Sequence, residues 1–214
     1  MSPAGLIFET RKRNLLIQIA ELGYNVGFGA KKNFASLDML SSIPSIVTII
    51  SIAFGILALA SDQFAAREIA AYVTISGVIG MYVDTFRSRA DEFSESGISL
   101  ISIFNNLSKL YYEAKSANTD EELSELGARL DHLRQTYQTH SSPNQMLLSD
   151  WYAHYKFFWQ AQVEWVDEQK NFKLLRDKIP LSFTVTLIVL FFLSLYFQWS
   201  PIAKRLDEIA RMFL

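Results

Sequence analysis

The chain has 214 residues, of which 50% are hydrophobic and 20% are charged, and its formal net charge is -2. This nearly neutral charge offers no basic surface for nucleic acid, so direct nucleic-acid binding is not expected. The absence of cysteine excludes a disulfide framework, a thiolate nucleophile and cysteine-ligated metal sites. A hydrophobic fraction of this size beside a substantial charged fraction predicts membrane-spanning segments joined to a polar part.

Residues 1–41 are predicted to form an amphipathic helical region in the cytoplasm. The opening, MSPAGLIFETRKRNLL, places a basic cluster after a short apolar piece, the reverse of a cleaved signal peptide. The first membrane span is therefore expected to serve as an uncleaved targeting signal. The glycines of GYNVGFG follow no predicted strand, so the favoured interpretation is a helix that ends and turns before Lys31 rather than a phosphate-binding loop.

Two uncharged runs follow at short separation. The first has 23 residues after Asp38, and the second has 15 residues before Asp84. Crossing the hydrocarbon core takes roughly 20 apolar helical residues, so the second run needs flanking residues at its ends. The runs predict a transmembrane helical hairpin over residues 42–88, with spans at 43–61 and 66–86.

Small and weakly polar residues form one stripe along each predicted span. The stripes are Thr48, Ser51, Gly55 and Ala58 in the first span, and Val73, Gly77, Gly80 and Asp84 in the second. Small residues allow helix backbones to approach in lipid, where no hydrophobic driving force pairs them. Two interpretations stay open: the stripes pack the two spans against each other within one chain, or they also meet neighbouring protomers and line an opening.

Residues 89–178 are predicted to form a cytoplasmic bundle of three long helices, with no strand pattern anywhere. The first helix has apolar positions at alternating steps of four and three: Phe93, Gly97, Leu100, Phe104, Leu107, Tyr111 and Ala114. The second begins with a capping box formed by Thr119 and Glu122. Its apolar stripe is Leu123, Leu126, Leu130, Leu133 and Tyr137. Such spacing is typical of helices that pack with knobs-into-holes geometry.

The third cytoplasmic helix is predicted to begin at Ser142, with Pro143 in its first turn and Gln145 closing a second capping box. Its apolar seam is Trp151, Tyr155, Phe158, Gln162, Trp165, Gln169 and Phe172. A second aromatic row, which includes Tyr152 and Trp159, widens the apolar face. Because a helix with two apolar rows needs two partners, we expect a bundle or a homo-oligomer with coiled-coil packing.

A third uncharged run of 25 residues precedes Lys204 and predicts a third transmembrane helix over residues 179–199. Lys and Arg number five before the first run, one between the first two, eleven between the second and third, and three after the third. Positive charge favours the cytoplasmic side, so the N-terminus and the bundle are expected there. Full crossing is favoured and places the tail 200–214 outside, against the charge rule; the alternative is a run that does not fully cross. The apolar face of an amphipathic tail helix is Ile202, Leu206, Ile209 and Phe213.

Residues suited to catalysis or metal binding are few. The three histidines, His132, His140 and His154, lack the i, i+4 spacing of a helical zinc pair. The carboxylates of the third cytoplasmic helix fall on its start and its polar faces, so they form no acid–base pair. The aromatic seam favours core packing over ligand stacking. We therefore predict no enzymatic activity, no cofactor and no metal site.

The hairpin and the helix that follows it resemble a known family. The segments AKKNFASLDMLSSIPSIVTIISIAFGILALAS, FRSRADEFSESGISL and ISIFNNLSKLYYEAK are similar to parts of the SLATT family, the SMODS- and SLOG-associating two-transmembrane effector domains. The resemblance covers roughly Leu15 to Lys178. The third span and the tail are additions to the two-helix core of that family.

This resemblance implies a membrane effector of a prokaryotic anti-phage, or abortive-infection, system. Such an effector oligomerises and permeabilises or depolarises the bacterial inner membrane when a nucleotide signal or a partner protein releases it. The implied partners are the lipid bilayer and a nucleotide-synthesising, nucleotide-sensing or reverse-transcriptase protein from the same defence locus. The alternative is a constitutive membrane scaffold or assembly partner without pore activity.

Overall fold

The computed structural model describes residues 3–60, 66–139 and 144–212, with side chains except at 66–68, 175 and 197–212. Every helix or strand assigned in these ranges is an α-helix, which confirms the all-α prediction. The chain divides into two compact units, Met1–Asn171 and Phe172–Leu214.

The first helix, α1 (Pro3–Ala60), is a single helix of 58 residues that contains both the N-terminal region and the first apolar run. The turn predicted before Lys31 is therefore wrong. Gly23 and Gly27 are helical, and no described glycine has a positive φ. They are four residues apart and lie on one face of α1, where the lack of a side chain admits aromatic rings from other helices.

Helix α2 (Ala66–Arg87) is the second apolar helix, and a two-residue turn separates it from α3 (Ala90–Ser116). The Arg89 side chain in this turn donates hydrogen bonds to the Glu92 carboxylate at 2.8 Å. All seven apolar positions predicted for α3 are buried, and α3 packs along α1. The four-and-three spacing therefore located the inner face of α3 correctly.

Helix α4 (Asp120–Thr139) begins with the predicted capping box. The Glu122 N–H donates to Thr119 Oγ1 at 3.2 Å, and the Thr119 N–H donates to a Glu122 carboxylate oxygen at 3.2 Å. Hydrogen bonds from the Asn118 and Thr119 N–H groups to its carboxylate lower the pKa of Glu122. Of the predicted stripe, three leucines are buried and the last two residues are half-buried: Leu123, Leu126 and Leu130, then Leu133 and Tyr137.

The third cytoplasmic helix predicted from Ser142 to Phe172 is instead broken into α5 (Ser149–Gln160) and α6 (Glu164–Lys170). Ser142 and Pro143 lie outside the described residues, and Gln145 precedes α5 without being helical. Leu148, which stands directly before α5, has the left-handed φ of 68°.

The break after Gln160 has a clear packing reason. Both Phe157 and Trp165 pack against glycines on α1. In an unbroken helix their directions would differ by about 80°, since each residue turns the helix by about 100°. Interrupting the helix over residues 161–163 turns Trp165 back toward α1.

The C-terminal unit contains α7 (Leu174–Asp177) and α8 (Leu181–Met212). The described apolar part of α8, Leu181–Tyr196, is shorter than a membrane span, so a third span is not shown. The helical backbone continues through Pro201 into the tail. The side chains of Ile202, Leu206 and Ile209, and all of Phe213, lie outside what the structure describes.

Candidate functional site

Two helices of the structure are long and apolar enough to cross a membrane: α1, through its second half, and Ile69–Arg87 of α2. The helices at the core of a soluble protein bury their apolar side chains, but these do not. No residue in the most apolar stretch of α1 is buried, and Leu59 is 93% exposed. Such surfaces are stable in lipid and costly in water, which makes the pair a candidate membrane-spanning hairpin.

The two spans touch through a face that is only partly the predicted one. The Phe54 ring stacks on the Tyr72 ring with centroids 4.5 Å apart. Half-buried or buried positions recur along both helices near this pair. They are Val47, Ser51, Phe54 and Ala58 on α1, and Ile69, Ser76 and Val83 on α2.

Of the predicted small-residue stripes, only Ser51 and Ala58 share this contact face. The other members are exposed: Thr48, Gly55, Val73, Gly77, Gly80 and Asp84. On α2 the predicted positions Gly77 and Asp84 directly follow the contact positions in sequence, so they point about 100° away from them. A Cβ placed on Gly55, Gly77 or Gly80 would meet nothing within 4 Å. Within one chain, the helix backbones do not approach each other at these glycines.

The C-terminal end of α2 is attached to the bundle. The Leu147 N–H donates a hydrogen bond of 2.6 Å to the Tyr82 hydroxyl, and the Arg89 guanidinium donates to the Asn144 carbonyl. Val83 is buried at the same level of α2. The segment that leads into α5 is therefore fixed to the end of the second span.

Two ion pairs fasten α5 to α1. Lys32 Nζ lies 2.7 Å from an Asp150 carboxylate oxygen, and Lys156 pairs with Asp38. Asp38 stands directly before the first uncharged run. Hence α5 contacts the part of α1 next to its span, and the segment that leads into α5 contacts the end of α2.

Inside the bundle, aromatic rings occupy the space left by glycines. Cβ atoms on Gly27 would come within 2.7 Å of the Phe104 ring and 2.8 Å of the Phe157 ring. A Cβ on Gly23 would collide with Trp165. The Trp165 ring also lies 5.3 Å from the Phe104 centroid. Any side chain at these glycines would displace a large ring from the core.

Tyr111 lies beside the same tryptophan, with ring centroids 5.4 Å apart. The Gln169 side-chain amide donates a 2.8 Å hydrogen bond to the Tyr111 hydroxyl, and burial raises the pKa of that tyrosine. The polar end of the buried ring is therefore satisfied, so this contact suits packing rather than acid–base chemistry.

The predicted apolar seam, Trp151 to Phe172, is only partly buried in the structure. Trp165 is 4% exposed, whereas Tyr155 is 52% exposed and Gln162 is also exposed. The remaining members are half-buried: Trp151, Phe158, Gln169 and Phe172. As an interface between copies of the chain, the seam stays a prediction.

Sequence reasoning missed the inner face of α1. Its buried positions recur at steps of three and four: Leu15, Ile19, Leu22, Val26, Ala30 and Asn33. That spacing was a readable helical signal, but the glycines between these positions suggested a turn. Two residues of α5, Ala153 and Phe157, reach this face of α1. They lie between the positions of the predicted seam, so they were not predicted either.

The histidines form no metal site in the described part of the chain. No group of three or more His, Asp or Glu side chains in those residues could hold a metal ion. The His154 ring lies 4.8 Å from the Phe28 ring and 5.6 Å from the Phe158 ring, and burial lowers its pKa. His132 is exposed, and His140 lies outside the described residues.

Comparison with known proteins decides the family. The family model of the SMODS and SLOG-associating 2TM effector domain 6, a SLATT domain, matches residues 10–187. The chain belongs to the SLATT family. No curated protein and no solved structure matches the chain. The matched range of the SLATT domain contains both candidate spans, the bundle and the start of α8.

Proposed function

We propose that this SLATT protein is a membrane effector of a prokaryotic anti-phage system. Several copies oligomerise, their hairpins assemble in the bacterial inner membrane, and the assembly permeabilises or depolarises it. A nucleotide signal or a partner protein triggers this change. The proposal involves no enzymatic step and no cofactor.

The open glycine face of the hairpin carries the proposal. Among the residues that the structure describes, nothing lies within 4 Å of a Cβ placed on Gly55, Gly77 or Gly80, although glycine costs helix stability in the middle of a span. In lipid, small residues favour close approach between helix backbones. Because one chain leaves these positions uncovered, a neighbouring copy is the partner that suits them, and the same weakly polar surface can line a path for ions.

A trigger that binds the bundle can act on the glycine face of the hairpin through direct contacts. Helix α1 contributes to the bundle through its first half and forms the first span through its second half. The contact of α5 with Asp38 and the contact of Leu147, just before α5, with Tyr82 lie next to both spans. A partner that shifts α5 would therefore bias the spans through existing contacts. The expected partners are nucleotide-synthesising, nucleotide-sensing or reverse-transcriptase proteins from the same defence locus.

In the proposed topology the N-terminus and the bundle are cytoplasmic. Lys and Arg are concentrated before the first span and after the second, as the positive-inside rule requires. The third run, 179–199, crosses the membrane in this topology and leaves the tail 200–214 outside. Reporter fusions at Asn118 and after Tyr196 should accordingly report opposite sides of the membrane.

The test is membrane potential in cells that carry the cognate defence locus, followed after phage challenge. Gly55→Leu or Gly77→Leu should abolish depolarisation but leave insertion intact, because leucine favours insertion and blocks close approach. Ala53→Leu is the matched control, since Ala53 is exposed on another face of α1 and the change also adds bulk. It should behave like the wild-type chain. A wild-type chain that never depolarises the cells under any trigger would instead favour the constitutive scaffold.

A further inference from the structure

A pocket of about 450 Å³ opens where the break between α5 and α6 faces α1 and α3. Small-molecule pockets span about 300–1,000 Å³, so its size suits a metabolite. Helix α1 contributes Gly27 and Lys31, and α3 contributes Asn105 and Ser108. All of the lining residues belong to the first compact unit.

Lys31 is the cation of this pocket, and it differs from its neighbours. Lys32 pairs with Asp150, and Lys156 pairs with Asp38. Among the residues that the structure describes, the half-buried Lys31 side chain has neither an ion pair nor a hydrogen bond. Burial and the positive charge of Lys156 lower the pKa of Lys31. An anion at this place would satisfy the ammonium group and reduce the cost of its burial.

The rest of the pocket is polar at the rim and aromatic at the floor. Asn105, Gln160 and Gln162 are exposed and supply side-chain amides, and Glu164 is a carboxylate at the rim. Amides accept and donate hydrogen bonds, and a carboxylate accepts them from hydroxyl groups. A body rich in hydroxyl groups therefore suits this rim.

The two buried rings of the floor offer a ligand little surface for stacking, and the Tyr112 ring, which is 54% exposed, is the accessible aromatic wall of the pocket. Trp165 is 4% exposed and Phe157 is fully buried, so little of either ring face is open to the pocket. These rings are fixed by their contacts with Gly23 and Gly27, which gives the pocket a rigid base. Hydrogen bonding at the rim, charge at Lys31 and contact with the Tyr112 ring thus decide what binds.

We infer that this pocket binds a small hydroxylated organic anion, a sugar phosphate or a hydroxy acid, whose anionic group contacts Lys31. The ligand would bridge α1, α3 and the segment between α5 and α6, and so stabilise the bundle in the arrangement seen here. This inference is independent of any pore activity of the hairpin.

Lysine acetylation of the full chain in nanodiscs tests it directly. Brief treatment with acetic anhydride, read by mass spectrometry, reports the accessibility of each lysine amine. Glucose 6-phosphate and citrate are the two anionic probes, and glucose and sodium chloride of matched ionic strength are the controls. At about ten times the Kd, an anion should slow acetylation of Lys31 about tenfold, because only the unbound fraction reacts. Acetylation of Lys109, exposed on α3, should not change.

The pattern of protection separates the outcomes. Protection by glucose 6-phosphate alone assigns a phosphate ligand, and protection by citrate alone assigns a carboxylate ligand. An anion that protects Lys31 should raise the Tm of the wild-type chain and of Lys109→Gln, but not that of Lys31→Gln. If neither anion protects Lys31 beyond sodium chloride, or if Lys109 is protected equally, the inference is wrong.

Discussion

The buried glycines of the bundle and the glycines of the hairpin have opposite surroundings. In the bundle, Gly23, Gly27 and Gly97 each lie against an aromatic ring; a Cβ on Gly97 would come within 2.9 Å of the Phe34 ring. In the hairpin, Gly55 and Gly77 face open space. The bundle therefore fills the space beside these glycines with its own rings, whereas the described residues leave Gly55 and Gly77 uncovered.

This difference shows that a glycine on a helix face is covered in different ways in water and in lipid. In water, burying an aromatic ring against bare backbone is favourable, so the chain itself fills the space. In lipid, covering a glycine with leucine-like side chains gains nothing over covering it with lipid tails. A glycine face can then remain open until a second helix of matching shape approaches it.

The largest expected effect tests the completeness of the bundle core. Trp165→Glu should destabilise the chain by roughly 3 kcal/mol or more, because it places an unpaired charge among buried aromatic rings. Tyr155→Glu is the matched variant from the same predicted seam, and it should leave the unfolding midpoint almost unchanged because Tyr155 is half exposed. Thermal unfolding of both variants in nanodiscs measures the contrast. Equal losses would mean that α5 packs through its predicted seam after all.

A smaller effect sharpens the contrast between glycines. Gly27→Ala should cost about 1–3 kcal/mol, since the added methyl group must displace the Phe104 or Phe157 ring. Gly127→Ala on α4, where a Cβ meets nothing within 4 Å, should stabilise the chain by roughly 0.5–1 kcal/mol through helix propensity. Denaturant titration compares the two variants. A stable Gly27→Ala chain would show that α1 and the aromatic rings are loosely packed.

The smallest expected effect is a dependence of the free energy of unfolding on pH. Burial lowers the pKa of His154, so the unfolded chain takes up a proton first as the pH falls below about 6.5. The free energy of unfolding should therefore decrease between pH 7 and the folded pKa, and level off below it. His154→Gln should flatten this dependence, and His132→Gln on the exposed face of α4 should not. A pH profile that both variants share with the wild-type chain would contradict this assignment.

The stripes of α3 and α4 were predictable because they are local and periodic. Leu100, Leu107 and Leu130 recur at helical spacing in uninterrupted helices, and the Thr119 capping box needs only residues three apart. Each of these signals is contained in a few adjacent turns. Such signals locate the inner face of a helix without reference to its partners.

The failures depend on contacts between distant segments. Phe157 and Trp165 reach α1 only because the helix breaks after Gln160, and the aromatic seam looked unbroken in sequence. Gly23 was interpreted as part of a turn, because the residue that packs against it, Trp165, is distant in the sequence. On the hairpin, small residues marked a face but could not specify which helix would cover it.

Because α1 is one continuous helix that runs from the bundle into the membrane, the number of residues between its two halves sets the angle between the faces that they present. Gly27 faces Phe104 and Phe157, and Gly55 faces outward from the hairpin, in an orientation fixed by the residues between them. One residue inserted between Ser36 and Ile43 would leave each half locally intact and rotate the span by about 100° relative to the bundle. A seven-residue insertion would restore the phase to within about 20°. The number of residues in this short stretch therefore fixes the rotation of the span relative to the bundle, and it matters more than which residues they are.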